Sequence, residues 1–127
     1  MGVSYIFAVQ IVNNTIMIKI AIPVIEGVLS EIFGECSHYM IYEIKNKVII
    51  SKTTEVPPIK TIDKLALWAE DYGITDVIVN NISSNYLSYF SNTKINLFVG
   101  VKPNLPEYLI EEYLNGTLQS NANNFTV

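Results

Sequence analysis

Ile18-Lys-Ile-Ala-Ile-Pro-Val-Ile-Glu-Gly-Val-Leu-Ser-Glu-Ile-Phe-Gly-Glu-Cys-Ser-His-Tyr-Met-Ile-Tyr42 holds two β-rich runs separated by an acidic, glycine-punctuated loop. The first run, residues 18–24, is expected to stop at Pro23, because proline has no N–H to give a ladder. The second begins at Tyr39. The loop carries the only cysteine, Cys36, and the only histidine, His38, among Glu26, Glu31 and Glu35. Function is expected in this loop, and the rest of the chain reads mostly as scaffold.

Upstream, residues 3–12 are β-forming and Asn13-Asn14 suits a two-residue turn. Residues 1–16 therefore read either as an extra strand or as a leader before a domain that starts at Met17. Downstream, residues 39–44 and 47–56 flank Lys45-Asn46 as an antiparallel hairpin, which Pro57-Pro58 ends. Thr61 then caps a helix with Ile62, Leu65, Ala66, Ala69 and Tyr72 on one face, Trp68 at its margin and Gly73 as its stop.

Residues 74–79 and 95–101 are short apolar runs of the kind expected for strands buried on both faces. Between them, Ser83 or Ser84 caps a helix to about Ser91. Asn104 and Glu107, at capping-box spacing, open a last helix over residues 105–114, and Asn115-Gly116 closes it. The polar run over residues 119–127 reads as a flexible tail.

Right-handed crossovers through this order predict an α/β domain over residues 17–118, with a mixed sheet of about five strands, one antiparallel, covered by helices. The loop after Val24 and the turns at 80–84 and 101–104 would meet at one carboxyl edge, where open α/β sheets bind ligands.

Half of the 127 residues are hydrophobic and 16% are charged, enough apolar material for a buried core. Net charge is −4, and the basic residues are eight scattered lysines, so nucleic acid is disfavoured as a partner. The lone cysteine forms no internal disulfide, and the apolar start is too short to span a bilayer and lacks signal-peptide marks. A cytoplasmic protein without a membrane partner is expected.

Six blocks carry a family resemblance: Met17-Ile-Lys-Ile-Ala-Ile-Pro-Val24, Leu29-Ser-Glu-Ile-Phe-Gly34, Tyr39-Met-Ile-Tyr-Glu-Ile44, Gly73-Ile-Thr-Asp-Val-Ile-Val79, Ile95-Asn-Leu-Phe-Val-Gly100 and Glu111-Glu-Tyr-Leu-Asn-Gly-Thr-Leu118. In this order they resemble the dinitrogenase iron-molybdenum cofactor biosynthesis family, the NifX and NifB C-terminal type of domain. The resemblance implies a three-layered α/β/α, ribonuclease H-like motif and a non-enzymatic accessory or carrier domain for an iron-sulfur or iron-molybdenum-type cluster. A cluster donor or acceptor protein is the implied partner. The candidate cofactor-binding residues are Glu31, Phe33, Gly34, Cys36 and His38 of the loop, with Asn81 and Ser83 of the facing turn. The family's loop histidine is here Ile32, which cannot coordinate, and its glycine-rich turn is here Asn80-Asn81-Ile82-Ser83-Ser84.

Read as chemistry, Cys36 and His38 offer a thiolate and an imidazole to a metal cluster, with Glu31 or Glu35 as an oxygen ligand or second partner. They do not complete four ligands, so the cluster's own sulfides or a second subunit, as in a homodimer, would have to finish the set. The plainer reading makes Cys36 a small buried hydrophobe and His38 a strand-edge residue. A degenerate member acting as an interaction module, or a small-molecule sensor using the three turns, is the alternative. Nuclease chemistry is disfavoured, since residues 18–24 hold no carboxylate for paired metal ions and Asp76 lies at the wrong end of its strand. Cysteine nucleophilic catalysis lacks a nameable orienting group.

Overall fold

The computed structural model describes residues 17–57 and 61–121. The N-terminal extension and the tail from residue 122 lie outside them. The strands are β1 (Met17–Ile25), β2 (Val28–Leu29), β3 (His38–Lys45), β4 (Val48–Glu55), β5 (Asp76–Ile78) and β6 (Asn96–Phe98), and the helices are α1 (Ile62–Tyr72), α2 (Ser84–Phe90) and α3 (Pro106–Asn115).

The sheet order is β4-β3-β1-β5-β6, with the two-residue β2 paired to the end of β1. β3 runs antiparallel to β1 over Met17↔Lys45 to Val24↔His38, whereas β5 and β6 are parallel to β1. This is the mixed sheet with one reversed long strand of the ribonuclease H-like motif. Alternate residues of β3 sort into two cores. Tyr39 and Ile41 pack with Leu65, Ala66 and Ala69 of α1 and Phe90 of α2. Tyr42 and Ile44 pack with Leu109 and Ile110 of α3. Burial on both faces is what turns β1 and β5 into continuous apolar runs.

Five local expectations need correction. β1 does not stop at Pro23; it continues to Ile25 and reverses through Glu26 and Gly27, both at positive φ, into β2. Proline is tolerated because Pro23 O accepts from Ser30 N, which places its missing donor on the side where the β1–β5 ladder has already ended. The hairpin turn centres on Asn46-Lys47, both at positive φ, one residue later than expected. β6 is an edge strand with Asn96 exposed and Leu97 and Phe98 half-buried, so it is not covered on both faces.

Asn104 is not the cap of α3; Leu105 holds that place, with Pro106 at the first helical position, and Asn104 Oδ1 accepts from Leu105 N at 2.8 Å. Thr61 does sit at the N-cap of α1, but its side chain makes no capping bond. Gly73 and Gly116 end α1 and α3 in left-handed geometry, as the sequence predicts. Residues 119–121, expected in the tail, lie against the sheet: Asn121 N donates to Val99 O, beside Gly100.

Two buried polar groups are handled differently. Asp76, 4% exposed, accepts from Asn96 Nδ2 at 2.9 Å and Thr75 Oγ1 at 3.1 Å, and the Tyr113 hydroxyl bonds it from α3. Tyr42, 2% exposed, has a buried hydroxyl without a hydrogen-bond partner among the described residues. Burial, with a smaller contribution from Glu107, pushes its phenol up to about 12.

Removing an unsatisfied buried hydroxyl removes a desolvation cost of about 1–3 kcal/mol. Tyr42→Phe is therefore expected to match or exceed the parent in urea unfolding at neutral pH. A phenol raised in the folded state contributes stability below its ordinary pKa near 10 and loses it as pH climbs to about 12. The fall in stability across that window should be shallower in Tyr42→Phe.

Candidate functional site

The carboxyl edge is assembled by backbone bonds between distant segments. Asn81 N donates to Glu31 O at 3.1 Å and Phe33 N donates to Asn81 O at 2.9 Å, which makes a one-residue parallel bridge between Ile32 and Asn81. Leu29 N donates to Asn104 O at 3.1 Å, and Asn80 Nδ2 donates to Val101 O at 2.7 Å. The loop and both turns thus meet as their order on the sheet requires.

Ser30 shapes the loop from within. It is 2% exposed, and its hydroxyl lies 2.9 Å from Ile32 O and 2.6 Å from Glu35 O, sharing its proton between them. Phe33 is buried, edge-on to Phe90 at 5.5 Å and to Tyr86 at 5.1 Å, so it anchors the loop to α2 and presents nothing to a ligand. Gly34, at φ +100°, lets Tyr86 approach: a Cβ there would stand 2.5 Å from the Tyr86 hydroxyl. Ser83 caps α2, its Oγ accepting from Tyr86 N at 3.4 Å, and the Asn81 amide donates to Asn80 Oδ1 at 2.7 Å. Both polar side chains are engaged in holding the turn.

Cys36 and His38 do not converge. An extended segment would put residues two apart on one side, but the chain bends at Ser37. Cys36 packs half-buried against the α1–α2 core and shares a hydrogen bond with the Tyr39 hydroxyl. His38 follows the alternation of Met40 and Tyr42, toward the α3 face. Ser37 Oγ lies 3.0 Å from Val24 O and 2.9 Å from His38 Nδ1; both bonds are satisfied together only when Nδ1 donates to Ser37 Oγ.

Burial, reinforced by the Cys36 thiol, holds the Tyr39 phenol far above its ordinary range, so Tyr39 is a donor to sulfur at any working pH. Burial and then Cys36 and Glu35 also raise Tyr86. Glu31, Ile32 and Glu35 line the exposed rim, with Ile32 51% exposed, beside a cleft of ≈ 310 Å³ reaching Pro103. Among the described residues no three His, Cys, Asp or Glu side chains come together to hold a metal ion. Ser30 and Tyr86 were missed from the sequence. Only the position of Ser30 between Leu29 and Glu31 hinted at a role, and nothing local to Tyr86 did.

A ribonuclease H-like α/β/α domain with three segments joined at its carboxyl edge defines the class. The family model described as dinitrogenase iron-molybdenum cofactor matches residues 17–116, and the chain belongs to that family. It is 31% identical over 108 residues to the uncharacterized protein MJ0580 of Methanocaldococcus jannaschii, spanning 81% of this chain and 91% of that one. In structure it is similar to PH0822, with a TM-score of 0.74, 20% identity and coverage of 83% and 97% of the two chains. It is also similar to the apo form of the orange protein from Desulfovibrio gigas, with a TM-score of 0.67, 10% identity and coverage of 85% and 96%. These two likenesses speak to the fold alone. No helix among the described residues is long and apolar enough to cross a membrane.

Gly34→Ala adds a strained φ and a clash, and should lower the free energy of unfolding by about 1–3 kcal/mol. Tyr86→Ala in the same chain should recover the steric share and leave the conformational one, so a double-mutant cycle in urea will show coupling at this pair.

Proposed function

We propose that this domain is a non-enzymatic carrier in cofactor assembly that receives an iron-sulfur or iron-molybdenum-type cluster as cargo from a donor protein and yields it to an acceptor. The observation that carries the reading is the Cys36 thiol, held by Tyr39 at the edge pinned through Asn81, in a member of this family. The donor set does not fit a closed resident metal site, since no three candidate ligands gather among the described residues. It does fit a cargo attached at one sulfur, with the remaining ligation supplied by the cluster itself. One protein ligand gives weak, exchangeable binding, which a carrier needs. Glu35 adjoins the attachment point, Glu31 lies on the exposed rim of the same loop, and His38 stands on the other face.

A second reading rests on Ile32. An apolar side chain, half exposed at the centre of the edge, suits contact with a protein surface better than contact with a charged cluster. On this view the domain is an interaction module without cargo.

Anaerobic incubation with ferrous iron and sulfide, followed by desalting, iron analysis and a visible spectrum, separates the two. The carrier reading expects stoichiometric iron that Cys36→Ala abolishes and His38→Ala leaves in place, with Ile32→His increasing retention by adding a ligand. Iron that is absent from the parent, or indifferent to Cys36→Ala, would end the carrier reading.

A further inference from the structure

Away from the carboxyl edge, α1 and α2 enclose a groove of ≈ 290 Å³. Two large apolar side chains stand open at it, Leu67 at 55% exposure and Tyr89 at 46%, with buried Ala66 at its floor. Asp63 and Glu70 rim it on the α1 side, both exposed. These residues lie one turn before and one turn after Leu67, so the carboxylates are spaced about 10 Å along the helix axis. Among the described residues neither has a cation partner; the ion pair found there is Lys19–Glu43, between β1 and β3. Glu70 also sits in the last turn of α1, where no basic residue is present and the helix dipole is negative. An acid there weakens its own helix, and an external cation would relieve both the unpaired charge and the dipole.

Apolar centre, acidic flanks and a net charge of −4 specify the complement. We propose that the α1–α2 groove is the docking face for a basic amphipathic helix of a partner protein. On that helix, a leucine or methionine enters between Leu67 and Tyr89, and Lys or Arg side chains two turns apart meet Asp63 and Glu70. The matching partner pattern is a cation, an apolar residue three or four positions on, and a second cation seven positions on. Tyr89 lies at the far end of α2 from its Ser83 cap, so a helix seated there leaves the Cys36 edge open. The proposal is independent of whether Cys36 carries a cluster.

The test is a titration of isotope-labelled protein with a synthetic helical peptide of this pattern, blocked at both ends, beside the same peptide with glutamates in place of its cations. Chemical shifts should move at Leu67, Glu70 and Tyr89 for the basic peptide only, saturating below about 1 mM. Leu67→Ser and Tyr89→Ser should each weaken binding about fivefold or more, as expected for buried anchors. Asp63→Asn with Glu70→Gln should weaken it similarly and flatten its dependence on salt. Ile49→Ser, at another exposed apolar position, on β4, should change nothing. All substituted positions are at the surface, and far-ultraviolet circular dichroism checks that each variant is folded. Binding that survives Leu67→Ser unchanged, shifts that map elsewhere, equal binding of the acidic peptide, or no saturation would each overturn the proposal.

Discussion

β1 is hydrogen-bonded along both edges and buried on both faces, and the rest of the molecule follows from that. Its β3 partner runs the full length of the strand, but β5 pairs with it only at Ile20 and Ala21. Beyond Ala21 the β5 side of the strand is left to β2 and to Ser30, whose amide takes Pro23 O. An apolar strand in this position requires cover above and below, which the helices supply: α1 and α2 on one face, α3 on the other. The early end of the β1–β5 ladder also opens the space into which the loop after β2 folds, so the candidate site occupies the place where the central pairing runs out.

That loop has no regular structure to hold it and is held by individual bonds. The Ser30 hydroxyl closes it internally, Phe33 fixes it to the aromatic cluster of α2, and the Ile32–Asn81 bridge fixes it to the turn after β5. Asn81 therefore does with its backbone what its side chain was expected to do for a ligand. The departures from the family pattern have structural roles of the same kind: Asn80 and Ser83 spend their polar groups on Val101 and on the start of α2. Glu31, Glu35 and Ile32 stay exposed at the edge, beside the half-buried Cys36 thiol that Tyr39 holds.

The order of the longer elements, the glycine stops and the family were legible in the sequence, because strand and helix periods and chain breakers act over a few residues. The site was legible as a place but not as a geometry. Cys36 and His38 are two positions apart, and only the bend at Ser37, fixed by two bonds to Val24 O, sends them to different faces. Pro23 looked like a stop because its missing donor matters only when a partner faces it, and whether one does is set by where β5 ends.

The sequence by itself determined which segments pair and pack, since apolar alternation and capping are encoded locally. Tertiary structure alone decided that Tyr39 reaches Cys36, that Gly34 leaves room for Tyr86, and that Leu67 and Tyr89 share a groove. Each of these depends on sheet register or on the seating of a helix on the sheet, where a shift of one residue exchanges the faces.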